Sequence, residues 1–96
     1  MSNMKAELLI RERRVLDVGF IEVIAWRLPQ PLSGSTHGFK YRFAYVVEGE
    51  CVLRYDNEAG KGDHRHVGAK QTPYLFVSVD QLLDDFLAEV AAWKGE

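Results

Sequence analysis

The sequence predicts an α+β domain in which an antiparallel β-sheet of four to five strands, joined as a meander, packs against one C-terminal α-helix. Three observations favour this class. Residues 39, 41, 43, 45 and 47 are all apolar or aromatic and lie on one face, while Lys40 and Arg42 mark the other, which is the period of a half-buried strand. After Ser78 the apolar residues recur at helical spacing. The length of 96 residues is that of one domain, so we expect residues 1–96 to share a single core.

The strands are expected in the first part of the chain, over about residues 5–56. Their β-branched, aromatic and alternating apolar residues are typical of strands, which are predicted over residues 5–13, 20–28, 39–47 and 51–55. Pro29 and Pro31 end the second strand, because proline cannot donate to a ladder. Gly49 supplies a tight hairpin between the third and the fourth. Residues 56–72 are expected to form a loop, followed by a short fifth strand over 73–77.

The helix is predicted over residues 79–94, and its start carries several sequence signals. Ser78 is a good N-cap, and Gln81 three residues later completes a capping box. Val77 and Leu82 are spaced to form a hydrophobic staple. One apolar stripe should cover one face of the sheet, and it consists of Val79, Leu82, Leu83, Phe86, Leu87, Val90 and Trp93.

Composition limits the classes of function. The net charge of −2 gives no global positive field toward nucleic acid or membrane, and 47% hydrophobic residues exclude disorder. No signal peptide is visible and no stretch approaches the ~18 apolar residues of a membrane helix, so we expect a soluble cytoplasmic protein without membrane contact. Cys51 is the sole cysteine, so no intramolecular disulfide can form, and we expect its side chain to be buried. A homodimer would add burial to so short a chain.

Residues 55–66, reading YDNEAGKGDHRH, concentrate the side chains that carry chemistry. They include two histidines, three carboxylates, a lysine and an arginine, none of which a plain connecting loop needs. If residues 63–67 are extended, His64 and His66 point to one face, while Asp63 and Arg65 point to the other. Two imidazoles at this spacing can share a metal ion or flank one scissile bond.

A metal site is one interpretation. The two histidines with Asp56, Glu58 or His37 would supply a two-histidine, one-carboxylate set for a divalent ion. The set of the metal alternative is His64, His66 and Asp56. A cupin-like site would also have a glutamate shortly after the second histidine, and residues 67–70 contain none.

Phosphodiester cleavage without a metal or other cofactor is the second interpretation. An RNA 2′-hydroxyl must lose a proton and the leaving 5′-oxygen must gain one, and histidine can do either at neutral pH. Cations such as Lys61 or Arg65 would stabilise the extra negative charge of the transition state. Tyrosines near the loop would give bases a surface on which to stack.

A third interpretation is a polar turn with solvent-facing histidines and local salt bridges. Gly60, Lys61 and Gly62 lack the spacing of a Walker loop, so the glycines do not indicate a nucleotide site. Among functional classes, the alternative to an enzyme is a non-enzymatic module whose loop binds a partner or a metal.

Three stretches of the chain together resemble the TumE-type toxin family of bacterial type II toxin–antitoxin systems. They are STHGFKYRFAYV, YDNEAGKGDHRH and PYLFVSVDQLLDDF, and the resemblance extends from Lys5 to Trp93. The family pattern has threonine–histidine–glycine before an aromatic–basic strand, then YDN and a GKGDHxH element, then an aromatic strand before the last helix. Here these are residues 36–38, 55–57 and 60–66, with Tyr74 and Phe76.

The resemblance implies a growth-inhibiting toxin that is neutralised by a cognate antitoxin protein, often one with a DNA-binding domain. Many small α+β toxins of such systems cleave RNA, so by analogy it implies a ribonuclease with RNA as substrate. Within the chain we expect His64 and His66 to transfer the protons. The full expected catalytic set is His64, His66, Lys61, Asp56 and Asp63. The expected substrate-binding set is Arg65, Tyr55, Asn57, His37, Tyr41 and Arg42.

Overall fold

A computed structural model describes residues 5–94 as one six-stranded antiparallel sheet with a helix on one face. The strands follow one another in chain order as a meander, as expected. They are β1 (Glu7–Val15), β2 (Phe20–Arg27), β3 (Phe39–Val47), β4 (Glu50–Glu58), β5 (Gly62–Val67) and β6 (Lys70–Pro73), and the helix is α1 (Val79–Ala92). The α+β class is confirmed, but the sheet has six strands rather than four to five.

The alternation of β3 is confirmed and forms the centre of the core. The helix-side residues of this strand are buried, and they are Tyr41, Phe43, Tyr45 and Val47. The turn to β4 consists of Glu48 and Gly49, both with positive φ (52° and 80°), which is the backbone of a tight type I′ hairpin. Cys51, expected to be buried, is exposed, because it lies at the start of β4 directly after this turn.

The predicted loop over residues 56–72 is wrong in most of its length. β4 continues to Glu58, and β5 and β6 follow as two further strands of the sheet. The predicted strand over 73–77 is also wrong, since the ladder ends at Pro73, which has no N–H to donate. Burial still alternates along the segment that follows Pro73. Leu75 and Val77 are exposed, while Tyr74 and Phe76 are half-buried and pack against the core.

The helix lies on one face of the sheet and buries the middle of its apolar stripe. Phe86, fully buried, meets Phe43 and Tyr55 edge-on, with ring centroids 5.5 and 5.8 Å apart. Burying one such ring stabilises a fold by about 1.5–3 kcal/mol. We call the face that α1 covers the helix side and the opposite face of the sheet the open face. Within residues 5–94 no helix covers the open face.

Both ends of α1 differ slightly from the expectation. The Ser78 side chain accepts a hydrogen bond from the Gln81 backbone N–H, so the N-cap is confirmed. The Gln81 amide instead donates to Asp85, and Val77 is 68% exposed, so neither the return half of the capping box nor the staple forms. The helix ends at Ala92, two residues before the expected 94. In the described part of the chain, no helix is long and apolar enough to cross a membrane.

Candidate functional site

The YDN and GKGDHRH elements form two neighbouring strands, β4 and β5, joined by a tight turn. Gly60 and Gly62 have φ of 79° and 78°, values that a residue with a side chain adopts only at a cost. The Gly60 N–H also donates to the Ser33 carbonyl at 2.7 Å, so the turn rests against the loop that precedes β3. Lys61 lies in this turn, exposed.

The strand conformation divides DHRH between the two faces of the sheet, as the alternation predicts. Asp56 pairs with His64, and Arg54 pairs with His66, so these four side chains share the open face. Asp63 and Arg65 point to the helix side, where each contacts residues that are distant in sequence.

On the open face, five side chains form what we call the histidine cluster. They are His64, His66, Asp56, Arg54 and Arg42. His66 Nε2 lies 3.2 Å from Arg54 Nη2 and 3.3 Å from Asp56 Oδ1. The rings of His64 and His66 are 6.2 Å apart, close to twice a hydrogen-bond reach of about 3 Å. At this separation of the ring centroids, a single group lying between the two rings can contact both.

Whether His66 Nε2 carries a proton decides which neighbouring side chain it can form a hydrogen bond with. A protonated Nε2 donates to Asp56, whereas an unprotonated Nε2 accepts from the guanidinium of Arg54. Both partners are in range in one geometry. The cluster therefore offers His66 Nε2 both an acceptor, Asp56, and a donor, Arg54.

The donor set of the cluster does not suit a metal ion. Arg54 Nε lies 3.0 Å from Asp56 Oδ2 and Arg54 Nη2 lies 3.2 Å from His66 Nε2, so one guanidinium cation lies against both side chains. The negative charge of Asp56 is therefore matched by the positive charge of Arg54. The Nε–H of Arg54 itself does not point at the carboxylate oxygen and has no hydrogen-bond partner among the described residues. Within residues 5–94, no three His, Cys, Asp or Glu side chains are arranged to bind a metal.

The helix side holds a buried network centred on Asp63. Its carboxylate accepts from the Tyr41 hydroxyl at 2.6 Å and lies 2.9 Å from His37 Nε2. Burial, together with the bond to Asp63, raises the pKa of Tyr41 far above its ordinary value. His37 is stacked on Phe76 at 3.9 Å between ring centroids, and its Nδ1 accepts the Phe39 N–H. Asp63 thus orients His37 rather than His64 or His66.

Asn57 completes this network at the end of the β3–β4 ladder. Its side-chain oxygen accepts the Tyr41 N–H at 3.0 Å, and its amide nitrogen donates to the Phe39 carbonyl at 2.8 Å. The residue is 1% exposed. It bonds backbone groups of the neighbouring strand and is out of reach of a ligand.

Arg65 binds the helix. Its guanidinium donates to both carboxylate oxygens of Glu89, which also accepts the Tyr55 hydroxyl. These bonds from Arg65, ahead of the one from Tyr55, hold the pKa of Glu89 below its ordinary value. Burial and the bond to Glu89 raise the pKa of Tyr55. Arg65 and Tyr55 therefore join β4 and β5 to α1.

The sequence located the site in the correct segment but predicted most of that segment as a loop, and it missed two residues that complete the geometry. Arg54 is one, and the alternation of β4 could have found it, since it lies two residues from Asp56 on the same face. Glu89 is the other. It lies far along the chain on the helix, and no local signal in the sequence connects it to Arg65.

One comparison with known proteins identifies a relationship. A family model described as Toxin TumE matches residues 5–94, nearly the whole chain. No curated protein and no solved structure matches the chain significantly.

Proposed function

Because the chain belongs to the TumE toxin family, we propose that it is the toxin of a type II toxin–antitoxin system and acts in the cytoplasm as a metal-independent ribonuclease. The observation that carries the proposal is the histidine cluster, in which His64 and His66 lie side by side on the open face with Arg42 and Arg54 beside them. The partner of such a toxin is a cognate antitoxin protein.

The proposed reaction is an attack by the RNA on its own backbone. One histidine takes the proton of a 2′-hydroxyl, and the 2′-oxygen then forms a bond to the adjacent phosphorus. The bond from phosphorus to the 5′-oxygen breaks, and the second histidine gives that oxygen a proton. The products are a 2′,3′-cyclic phosphate and a 5′-hydroxyl, and the two histidines have exchanged protonation states.

Arg54 and Arg42 are the cations closest to this chemistry. Arg42 is the cross-strand neighbour of Asp56, and Arg54 that of His66, so both can face a phosphate held between the two rings. Positive groups fixed in advance stabilise the charge that develops in the transition state. Asp56 supports the protonated form of His66 through the 3.3 Å contact with Nε2.

The remaining residues of the expected site then have indirect roles. Arg65, Tyr55, Asp63, Tyr41, Asn57 and His37 hold the β4–β5 hairpin against the rest of the fold from the helix side. In this proposal they are positioning residues. Lys61, exposed at the turn, is free to approach a substrate phosphate outside the cluster.

The test is cleavage of an RNA oligonucleotide by wild-type protein, H64A and H66A, each with and without EDTA. We expect wild-type cleavage to survive EDTA and to stop when the attacking 2′-hydroxyl is methylated. Both variants should lose at least 100-fold in rate, in line with the contribution of acid–base groups. Lys70→Ala, exposed on β6, is the matched surface control and should cleave like wild type.

Two results would change the assignment. Full activity in both histidine variants, with unchanged thermal stability, would remove the catalytic role. No cleavage by wild type under any condition would instead favour a non-enzymatic module that inhibits growth by binding a partner in fixed stoichiometry.

A further inference from the structure

The open face carries two rows of side chains that run from the histidine cluster to the far edge of the sheet. Residues directly opposite each other on antiparallel strands share a face, so the register defines each row. The first row is Arg11, Ile24, Arg42, Asp56 and His64. The second row is Arg13, Glu22, Ala44, Arg54 and His66. Four strand spacings of about 4.8 Å separate β1 from β5, so each row is roughly 19 Å long.

Arginines on the two sides of the sheet differ in how they are paired. On the helix side, Arg14, Arg27 and Arg65 each lie within ion-pair distance of a glutamate. On the open face, Arg11 and Arg42 are exposed and form no ion pair with any residue in 5–94. Two other arginines of this face are paired, Arg13 with Glu22 at 3.9 Å and Arg54 with Asp56 at 3.0 Å. The open face therefore offers unneutralised positive charge although the whole chain is slightly acidic.

The open face also carries an aromatic surface. Trp26 lies on β2 two residues from Ile24 and opposite Lys40 of β3, and it is half-buried. A partly exposed indole beside a cation is suited to stacking on an unpaired base. Phe20, the other aromatic residue of β2 on this face, is covered by the Arg13 guanidinium, 4.2 Å from the ring centroid. Trp26 is thus the available platform.

We propose that the open face binds single-stranded RNA along the two rows, from His64 and His66 on β5 to Arg11 and Arg13 on the edge strand β1. Unpaired bases reach Trp26, and phosphates lie against Arg42 and the β1 arginines. A duplex does not fit, because paired bases cannot stack on an indole. This proposal rests on the proposed function for the position of the scissile bond, but not for the binding itself.

The test uses an RNA that the protein cannot cleave, an oligonucleotide of about ten nucleotides with every 2′-hydroxyl methylated. Binding is measured by fluorescence anisotropy over a range of salt concentrations. R11A/R13A should bind about ten-fold or more weakly at low salt. Its slope of log K against log salt should be smaller by about 1.4, which corresponds to two lost phosphate contacts. Arg14→Ala, on the same strand but the helix side, is the matched control and should bind within two-fold of wild type.

Tryptophan emission tests the stacking contact separately. The chain has two tryptophans, so W93F leaves Trp26 as the only source of emission. We expect the RNA to quench that emission. We also expect a duplex of the same sequence to bind more weakly than the single strand.

The proposal is overturned if R11A/R13A binds like R14A, if the duplex binds at least as tightly, or if Trp26 emission does not respond to the RNA. Binding with these properties but without cleavage of unmodified RNA would refute the ribonuclease and leave the binding surface in place. Cleavage of unmodified RNA that R11A/R13A does not slow would support the ribonuclease and refute the binding surface.

Discussion

Replacing Asn57 by leucine should destabilise the protein by about 3 kcal/mol, because the amide bonds two backbone groups of the neighbouring strand. The Tyr41 N–H donates to the amide oxygen at 3.0 Å, and the Phe39 carbonyl accepts from the amide nitrogen at 2.8 Å. A buried group left without its partner costs about 1–3 kcal/mol. Tyr41 is 1% exposed, so its N–H bears the full cost, whereas Phe39 is half-buried and its carbonyl recovers part of the loss from water.

The assay is urea unfolding followed by circular dichroism, with the melting temperature as a second readout. For a domain of this size, 3 kcal/mol corresponds to a fall in Tm of roughly 12–24 °C. The slope of unfolding free energy against urea should stay unchanged, since the fold is the same. Glu58→Gln, the next residue and exposed, is the control and should stay within about 0.5 kcal/mol of wild type. An N57L protein within 1 kcal/mol of wild type would refute this reasoning and return Asn57 to the candidates for direct substrate contact.

Asn57→Asp tests the same bonds by pH. A carboxylate there would face the Phe39 carbonyl without a proton to donate, whereas the neutral acid can donate as the amide does. The pKa of the introduced acid is therefore raised in the folded protein. The stability it allows is present at low pH and is lost as pH rises through that raised pKa. We expect the deficit of N57D relative to wild type to shrink between pH 7 and pH 4, and an unchanged deficit would contradict the assigned donor.

Three further predictions follow from other contacts. Glu89 has a lowered pKa in the folded protein, so the stability from its bonds to Arg65 is present above its ordinary pKa of 4.5 and is lost as pH falls through the lowered value. In urea unfolding between pH 6 and pH 3, wild type should lose more stability than E89Q. Burial raises the pKa of three tyrosines, so their ultraviolet ionisation near pH 10 should be delayed until unfolding; they are Tyr41, Tyr55 and Tyr74. Gly19→Ala should cost more than Gly49→Ala, because both have φ near 80° but only at Gly19 would the new Cβ lie 2.2 Å from a carbonyl oxygen. If urea unfolding shows equal losses of stability for the two variants, the positive φ alone determines the cost and the close carbonyl oxygen adds nothing.

Much of the sheet could be predicted because one of its faces is apolar. In β3 the residues Tyr41, Phe43 and Tyr45 share the helix side and are buried, as their spacing of two predicts. The helix was predictable for the same reason, and Ser78 marks its start. Each of these signals is local, so a few neighbouring residues are enough to read it.

β5 was missed because its helix-side residues are polar. Asp63 and Arg65 occupy the helix-side positions, where apolar residues would have given the alternating pattern that predicts a strand. They can be buried there only because His37, Tyr41 and Glu89 supply hydrogen bonds from distant parts of the chain. No local sequence pattern predicts these long-range contacts. The same long-range contacts explain why Asp63 bonds His37 and neither His64 nor His66.

The division of DHRH between two faces makes the number of residues in β5 as important as their identity. A strand has a side-chain period of two, so adding one residue directly after Gly62, with the turn before it kept, would exchange the faces of the residues that follow. Both imidazoles would turn toward the helix, and the groups bound to His37 and Glu89 would turn toward solvent. If the chain inhibits growth as proposed, inserting one residue directly after Gly62 should relieve that inhibition.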